Sequence, residues 1–482
     1  MNISMAFRAT ITIAIGAAIV ACGGDSPTSS VADPVTPTTP SNPATNVEPV
    51  AVVLPNAVQA ATVGVPFRYD ASRGHTVFSD PRRTGLTYVI TFGGTSTGLM
   101  AVGGDIAGTP VVSGLQTVTI TARDATGSTA SHAFTIVVFG ADLVAPTLPT
   151  ASFAYRDGSA PLPRHFVNNP PTAGADNTPA ANAITDAGAT LGRVLFYDRR
   201  LSINDRVSCS SCHVQSVAFS DTARLSRGFA GGLTGRHSMG LVNARWYQPG
   251  RFFWDERAAS LEAQVLQPLQ DVTEMGMTLG GVVSKVQAAA FYAPLFSAAF
   301  GTNEITTDRM ARALAQFVRS LVSGGSKFDQ AFGGGNVPNF ATVFTAEEQL
   351  GQTLFAGRAG CDRCHGTNAH VSDQVHNTGL DASITDAGAG NGRFKAPSLR
   401  NIEVRAPYMH DGRFRSLEAV VDFYNNGIQN NPGLDPRLRG PGGQPQRLNL
   451  STPEKAALVA FLKTLTDRTF LSNPKFASPF AR

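Results

Sequence analysis

The sequence predicts a multidomain chain in which an N-terminal all-β sandwich precedes two mainly α-helical domains. Three observations predict it. Short runs of β-branched and aromatic residues between Gly and Asp turns are confined to about Val50 to Val138. Beyond residue 185 the apolar spacing becomes helical. One pattern, a helix leading into Cys-x-x-Cys-His, then occurs twice, at Cys209-Ser-Ser-Cys212-His213 and at Cys361-Asp-Arg-Cys364-His365.

A chain of 482 residues, 42% apolar and 15% charged, is long enough for several cores. A net charge of +4 with no basic block gives no case for a nucleic-acid partner. The N-terminus is a targeting segment: Arg8 precedes the apolar run Ala9 to Ala21, which is shorter than the ~20 residues a membrane span takes. It ends Ile19-Val20-Ala21-Cys22-Gly23, which resembles a bacterial lipobox. That resemblance implies a signal peptide over 1–21, lipid attachment at Cys22 and, with Gly23 next, an outer-membrane destination. The alternative is a plain secretory signal with a stray cysteine. Either way the chain is exported, to the periplasm or the cell surface.

Residues 22–47 are Pro, Thr and Ser with almost no large apolar side chain, and read as a tether. In 48–140, runs such as Thr87-Tyr-Val-Ile-Thr, Thr117-Val-Thr-Ile-Thr-Ala and Ala133-Phe-Thr-Ile-Val-Val are short strands at regular spacing. With Gly104-Asp-Ile-Ala-Gly-Thr-Pro and Thr121-Ala-Arg-Asp-Ala-Thr-Gly, this stretch resembles the immunoglobulin-like or cadherin-like modules of bacterial surface proteins. It is expected to be a spacer or docking module. Residues 141–185, rich in Pro and Ala, read as a linker.

The helical part divides into 186–335 and 336–475. Leu191, Val194 and Leu195 lie at helical spacing ahead of the first Cys motif. Thr307 to Val322 predicts a long helix with Met310, Ala313, Leu314, Phe317 and Leu321 on one face, stopped by Gly324-Gly325. Thr345-Ala-Glu-Glu348 is a capping box ahead of Leu350, Leu354 and Phe355. The last helix is predicted to take Thr452 as its cap and Pro453 as its first position, followed by Leu458, Phe461, Leu462 and Leu465.

Cys-x-x-Cys-His is the attachment signature of c-type haem, with two thiols for the porphyrin and a histidine for the iron. A dithiol redox pair needs no histidine. A zinc ribbon spaces its pairs by about 15–20 residues, whereas here they begin at residues 209 and 361. The sequence therefore predicts two covalently bound haem c groups, on Cys209, Cys212 and His213 and on Cys361, Cys364 and His365.

Three further segments carry a family resemblance. Gly192-Arg-Val-Leu-Phe-Tyr-Asp with Leu201-Ser leads to the first motif. Phe253-Trp-Asp-Glu-Arg-Ala258 with Glu274-Met-Gly276 is central. Phe394-Lys-Ala-Pro-Ser-Leu-Arg-Asn401 with Ala406-Pro-Tyr-Met-His-Asp-Gly412 is C-terminal. In that order they resemble the bacterial di-haem cytochrome c peroxidase family, which includes MauG, an enzyme that oxidises a protein partner. The resemblance spans roughly 185–465 and excludes the tether and the sandwich. It makes the fold class an immunoglobulin-like sandwich followed by two cytochrome-c-like domains, the first peroxidatic and the second for electron transfer.

The resemblance implies roles for particular residues. His213 would be the proximal ligand of the peroxidatic haem, with Gln264, Glu274 and Pro268 in its distal pocket. Cleaving peroxide needs a group that moves a proton, so Glu274 is the acid/base candidate, whereas the Gln264 amide can only orient. Trp254 matches the tryptophan between the two haems, and Trp246 reads as packing. The second haem's sixth ligand in family peroxidases is a methionine fourteen residues beyond the histidine of Pro-Tyr-x-His, and a tyrosine in MauG. Counting from His410 reaches Tyr424. The alternative is that Tyr424 is a core aromatic and Met409 or another residue ligates.

No Gly-His pair for a distal ligand occurs between His213 and Trp254. The histidine there, His237, is either a structural hydrogen-bonding residue or a distal ligand of the first haem. Its segment matches one that holds an inter-haem calcium in the family. Imidazole is a poor ligand for so hard a cation, which puts calcium in doubt, although the carbonyl of Pro407 remains at a matching position.

The expectation is an exported, lipid-anchored di-haem oxidoreductase acting on hydrogen peroxide. Its electrons would come from a small redox protein (a cytochrome c or cupredoxin) or from an oxidised protein substrate, used as a cytochrome c peroxidase or as MauG. The alternative from another class is a non-catalytic periplasmic electron-transfer cytochrome.

Overall fold

The computed structural model describes residues 50–51, 55–80 and 85–481; the signal segment, Cys22 and the tether lie outside the described residues. The sandwich has two sheets. One has the order β1 (Gln59–Thr62), β7 (Thr129–Phe139), β6 (Gly114–Arg123), β3 (Thr87–Gly94), with β1 parallel to β7 and the other pairs antiparallel. The other is antiparallel, in the order β2 (Phe67–Asp70), β5 (Asp105–Gly108), β4 (Met100–Val102). All three runs picked out by β-branched content fall within strands.

Strand alternation gives β7 two jobs. Ile136 and Val138 point into the sandwich core with Ile106, Val118 and Ile120. Val137 and Phe139, on the opposite face, join the core of the first helical domain beside Val282, Val286 and Leu195. The sandwich is therefore packed on the helical body. Beneath it, the fully buried Lys285 ammonium donates to Asp205 Oδ1 and to the Ser202 carbonyl, both at 2.7 Å. Residues 141–185 carry Tyr155 and Phe166, both buried, and hydrogen-bond to the chain's C-terminal end through Thr147 and Tyr155.

Each helical domain crosses one helix over another at a glycine. α1 (Asp186–Tyr197), capped by Thr185, lies on α2 (Thr307–Arg319), and a Cβ at Gly192 would stand 2.0 Å from the Ala313 carbonyl oxygen and 2.8 Å from Phe317 Cβ. α3 (Ala346–Ala356) lies on α4 (Thr452–Lys463), and a Cβ at Gly351 would stand 1.9 Å from the Ala457 carbonyl oxygen and 2.8 Å from Phe461 Cβ. The two domains are the same construction.

Local details differ from expectation in two places. α2 ends at Arg319 rather than Val322, because the Ser320 amide turns onto Gln316 and Phe317 and its hydroxyl donates to the Phe317 carbonyl. α4 is capped by Ser451, in a capping box with Glu454, so Thr452 is the first helical residue and Pro453 the second. The Thr345–Glu348 capping box is present. Among the described residues no helix is long and apolar enough to cross a membrane.

Candidate active site

Each Cys-x-x-Cys-His motif forms a single helical turn, Cys209–Cys212 and Asp362–His365, the first opened by a Ser208–Ser211 capping box. All four thiols are free of disulfides. Nδ1 of His213 donates to the Phe219 carbonyl at 2.8 Å, and Nδ1 of His365 to the His370 carbonyl at 3.2 Å. A carbonyl only accepts, so the proton sits on Nδ1 and the Nε2 lone pair is left for a metal. Burial lowers both imidazole pKa values, that of His365 to about 4, and keeps the rings neutral.

Glu274 lies close enough to the first motif to act electrostatically on Cys209 and Cys212. Burial, helped by Asp271, pushes its carboxyl above the ordinary range, with Arg257 opposing. Among the described residues it has no ion pair or side-chain hydrogen bond. Gln264 ends the turn Leu261–Gln264, half-buried, and no hydrogen bond joins it to Glu274. Pro268 sits in the next turn, Gln267–Gln270.

The second motif opens onto a large, mostly apolar cavity lined by Cys361, Cys364, His365, Tyr424, Met409 and Trp254. Tyr424 lies in a π-helical turn, Phe423–Gly427, of the kind that often marks functional sites. Burial raises its phenol pKa, and its hydroxyl has no hydrogen-bond partner among the described residues. The cavity continues past Trp254 to Ser220, His237, Met239 and Gly240 of the first-motif loop. Trp254 is pinned there by its Nε1–H, which donates to the His237 carbonyl at 2.7 Å. Trp246 is buried against Phe166 and Tyr247.

His237 is buried and hydrogen-bonded within its own loop. Its Nδ1–H donates to the carbonyls of Ala223 and Arg224 at 3.1 and 3.2 Å, and Ser220 Oγ meets Nε2 at 3.2 Å. The residues do not fit a calcium at this position. The ring faces protein groups, and the nearby carboxylates of Asp255 and Asp386 are both paired to Arg236, at 2.7 Å each.

Several functional neighbours have no local sequence signature. Arg236 joins the turn of Trp254 to the second domain through those two carboxylates. Lys395 is buried between the rings of Tyr247 and Phe252, with its Nζ 3.8 and 4.4 Å from their centroids, while its amide donates to the Trp254 carbonyl at 2.8 Å. Arg405, 4% exposed, lines the cavity with Nε and Nη1 unpartnered. Neutral histidines held through Nδ1, thiols free of disulfides and an unpartnered tyrosine hydroxyl at a mostly apolar cavity fit haem c.

Known proteins share the sequence and fold of the helical part. The profile of the family described as "Di-haem cytochrome c peroxidase" matches residues 186–336. The methylamine utilization protein MauG of Methylorubrum extorquens is 38% identical over 298 residues, 60% of this chain and 80% of that protein. The chain belongs to the di-haem cytochrome c peroxidase/MauG family. The cytochrome c551 peroxidase of Nitrosomonas europaea is 32% identical, over 58% of this chain and 79% of that one. The crystal structure of a MauG-like protein associated with microbial copper homeostasis superposes with a TM-score of 0.55 at 34% identity, covering 62% of this chain and 95% of that one. As a family member the chain is a di-haem oxidoreductase with peroxidase/MauG-like activity, and membership implies two haem c groups at the two motifs. A non-catalytic cytochrome is set aside.

Proposed function

We propose that the chain reduces hydrogen peroxide at the His213 site and draws the electrons through the His365 site from a protein side chain, in the manner of MauG. The balance is one peroxide, two electrons and two protons giving two waters. Haem bound at His213 would supply an iron with one open face for peroxide and the redox capacity to cleave it. Glu274, a half-buried carboxylate with a raised pKa and no partner, takes a proton from the near peroxide oxygen and returns it to the far one. Gln264 orients the peroxide. Trp254, held between the two sites by His237, relays electrons from the second site to the first.

Tyr424 carries the preference for MauG-like use. Its unpartnered hydroxyl lines the His365 cavity and would supply an oxygen ligand to iron held there. An anionic phenolate favours ferric and higher states over the reduced state that methionine favours. A small redox protein, a cytochrome c or cupredoxin, is the donor in the plain peroxidase reading. Adding one equivalent of peroxide to the fully oxidised protein is expected to change the visible spectra of both sites without prior reduction. Spectra that stay unchanged until a reductant is supplied would exclude the MauG-like use.

The location follows from the N-terminus: export to the periplasmic side and lipid attachment at Cys22 to the outer membrane. Detergent-phase partitioning that persists in a Cys22→Ser variant would remove the lipid anchor.

A further inference from the structure

Among the described residues six arginines are buried: Arg193, Arg200, Arg245, Arg319, Arg400 and Arg405. Four close an ion pair with a carboxylate: Arg200 with Asp198 at 3.0 Å, and Arg245 with Asp176, Arg319 with Glu262 and Arg400 with Asp329 at 2.6 Å each. Arg193 and Arg405 have no such partner among the described residues, and Arg193 does not line the cavity. Arg405 does. Its Nη2 donates to the Ser398 carbonyl, while Nε and Nη1 have no partner. A buried guanidinium with no counter-charge costs several kcal/mol, so this position calls for an anion.

The surroundings narrow its identity. Arg405 belongs to the second-motif segment, yet it packs on the first-motif loop: a Cβ at Gly240 would stand 2.6 Å from Nη1 and 3.4 Å from the Ala218 carbonyl oxygen. Its charge is felt at His365 and at His237. The cavity it lines is otherwise mostly apolar and holds the Cys361–His365 motif. A haem c is an apolar macrocycle carrying two carboxylates, and the cavity supplies an apolar wall and a buried guanidinium with two unpartnered nitrogens. The other buried cation of the lining, Lys395, has its Nζ turned onto the rings of Tyr247 and Phe252 and the Arg251 carbonyl.

We propose that Arg405 is an anion site whose partner is a propionate carboxylate of the haem held at His365. Arg405 is then a positioning residue that binds the cofactor from the second domain while it packs against the first. The inference rests on haem at His365, which is measured separately below. A fixed positive charge beside a haem stabilises its reduced state, so Arg405 raises the potential of the site it serves.

The test is a spectroelectrochemical titration of the holoprotein, wild type against Arg405→Lys and Arg405→Met, each first shown to hold two haems by the pyridine haemochrome assay. The midpoint potential of the His365 site is expected to fall in Arg405→Met and to stay near wild type in Arg405→Lys, which keeps the charge. Added acetate should leave the wild-type potential unmoved, because the carboxylate is internal. Three results would overturn the proposal: no shift in Arg405→Met, a shift confined to the His213 site, or a wild-type potential that moves with acetate. A wild-type count below two haems would sink the underlying haem assignment instead. If Arg405→Met does not mature, wild type with 13C-labelled haem carboxylates gives the reading. A label-sensitive carboxylate band that is displaced in Arg405→Lys supports the pairing, and a band that does not move refutes it.

Discussion

The indole Nε1 of Trp254 donates to the carbonyl of His237 at 2.7 Å, and the amide of His237 donates to the carbonyl of His410 at 2.8 Å. Those two bonds join the Trp254 turn, the first-motif loop and the second-motif segment. His410 also meets the same indole edge-on, with ring centroids 6.4 Å apart, and stacks on Phe394 at 3.7 Å. Trp254 is thus fixed in place before any electron moves. Trp254→Phe keeps an aromatic ring but removes the donor and the more easily oxidised indole. Stopped-flow spectra after peroxide addition are expected to show the response of the His365 site slowed at least ~10-fold, equivalent to about 1.4 kcal/mol of barrier. An unchanged rate would remove the relay role.

Glu274 gives a pH-dependent prediction with a definite sign. Acting as a base, it must be ionised, so turnover falls as pH drops through its raised pKa, at a higher pH than the ordinary carboxyl value of 4.5 would give. Glu274→Gln is expected to lower peroxide turnover by roughly 10²- to 10⁴-fold and to erase that acidic limb, with both haem spectra preserved. A limb that survives in the variant assigns the proton transfer to another group.

How much of this was legible depended on how local the chemistry is. Haem attachment needs contiguous residues, so Cys209–His213 and Cys361–His365 could be read directly, and a fixed count from His410 reached Tyr424. The shared construction of the two domains also left a trace: Gly192-x-x-Leu195-Phe196 and Gly351-x-x-Leu354-Phe355 precede the motifs, and Ala313-x-x-x-Phe317 and Ala457-x-x-x-Phe461 face them. The Arg236–Asp386 pair and the Arg405–Gly240 contact join segments some 150 residues apart, and no local pattern encodes them. The docking of the sandwich lay between these extremes. Ile136-Val-Val-Phe139 is a continuous apolar run, which marks a strand buried on both faces rather than one facing water.

Tyr424 can be tested against its rival in the same cavity. Tyr424→Phe is expected to change the electronic and electron paramagnetic resonance spectra of the His365 site and leave those of the His213 site alone. Met409→Leu should alter neither. The reverse pattern would make Met409 the ligand and Tyr424 a core aromatic.

Phe139 tests whether the sandwich is an integral part of the enzyme. It lies 8% exposed at the end of β7, in the core that holds Leu195 and Val282. Phe139→Ala should cost about 3–5 kcal/mol and lower the temperature at which the helical body unfolds, followed by the loss of haem Soret ellipticity. If only a separate β transition moves and the Soret melt stays put, the sandwich is an independent module.

Lys395 ties stability to pH through a buried cation. Burial between Tyr247 and Phe252 lowers its pKa from 10.5 to about 7, and Glu256 opposes the shift. Its one hydrogen bond from Nζ goes to the Arg251 carbonyl at 3.2 Å. Below about 7 both the folded and unfolded chains carry the ammonium, and the fold bears the full cost of burying it. Between about 7 and 10.5 the unfolded chain binds the extra proton, so this group's contribution to stability rises with pH across that window. Lys395→Met removes the charge and keeps a similar stem. Its thermal midpoint is expected to exceed wild type most clearly below the lower pKa, with the advantage shrinking as pH climbs towards the upper one. An advantage that does not change with pH, measured by circular dichroism melts across the window, would mean that folded and unfolded chains bind the same proton throughout it, so that burial does not lower the pKa of Lys395.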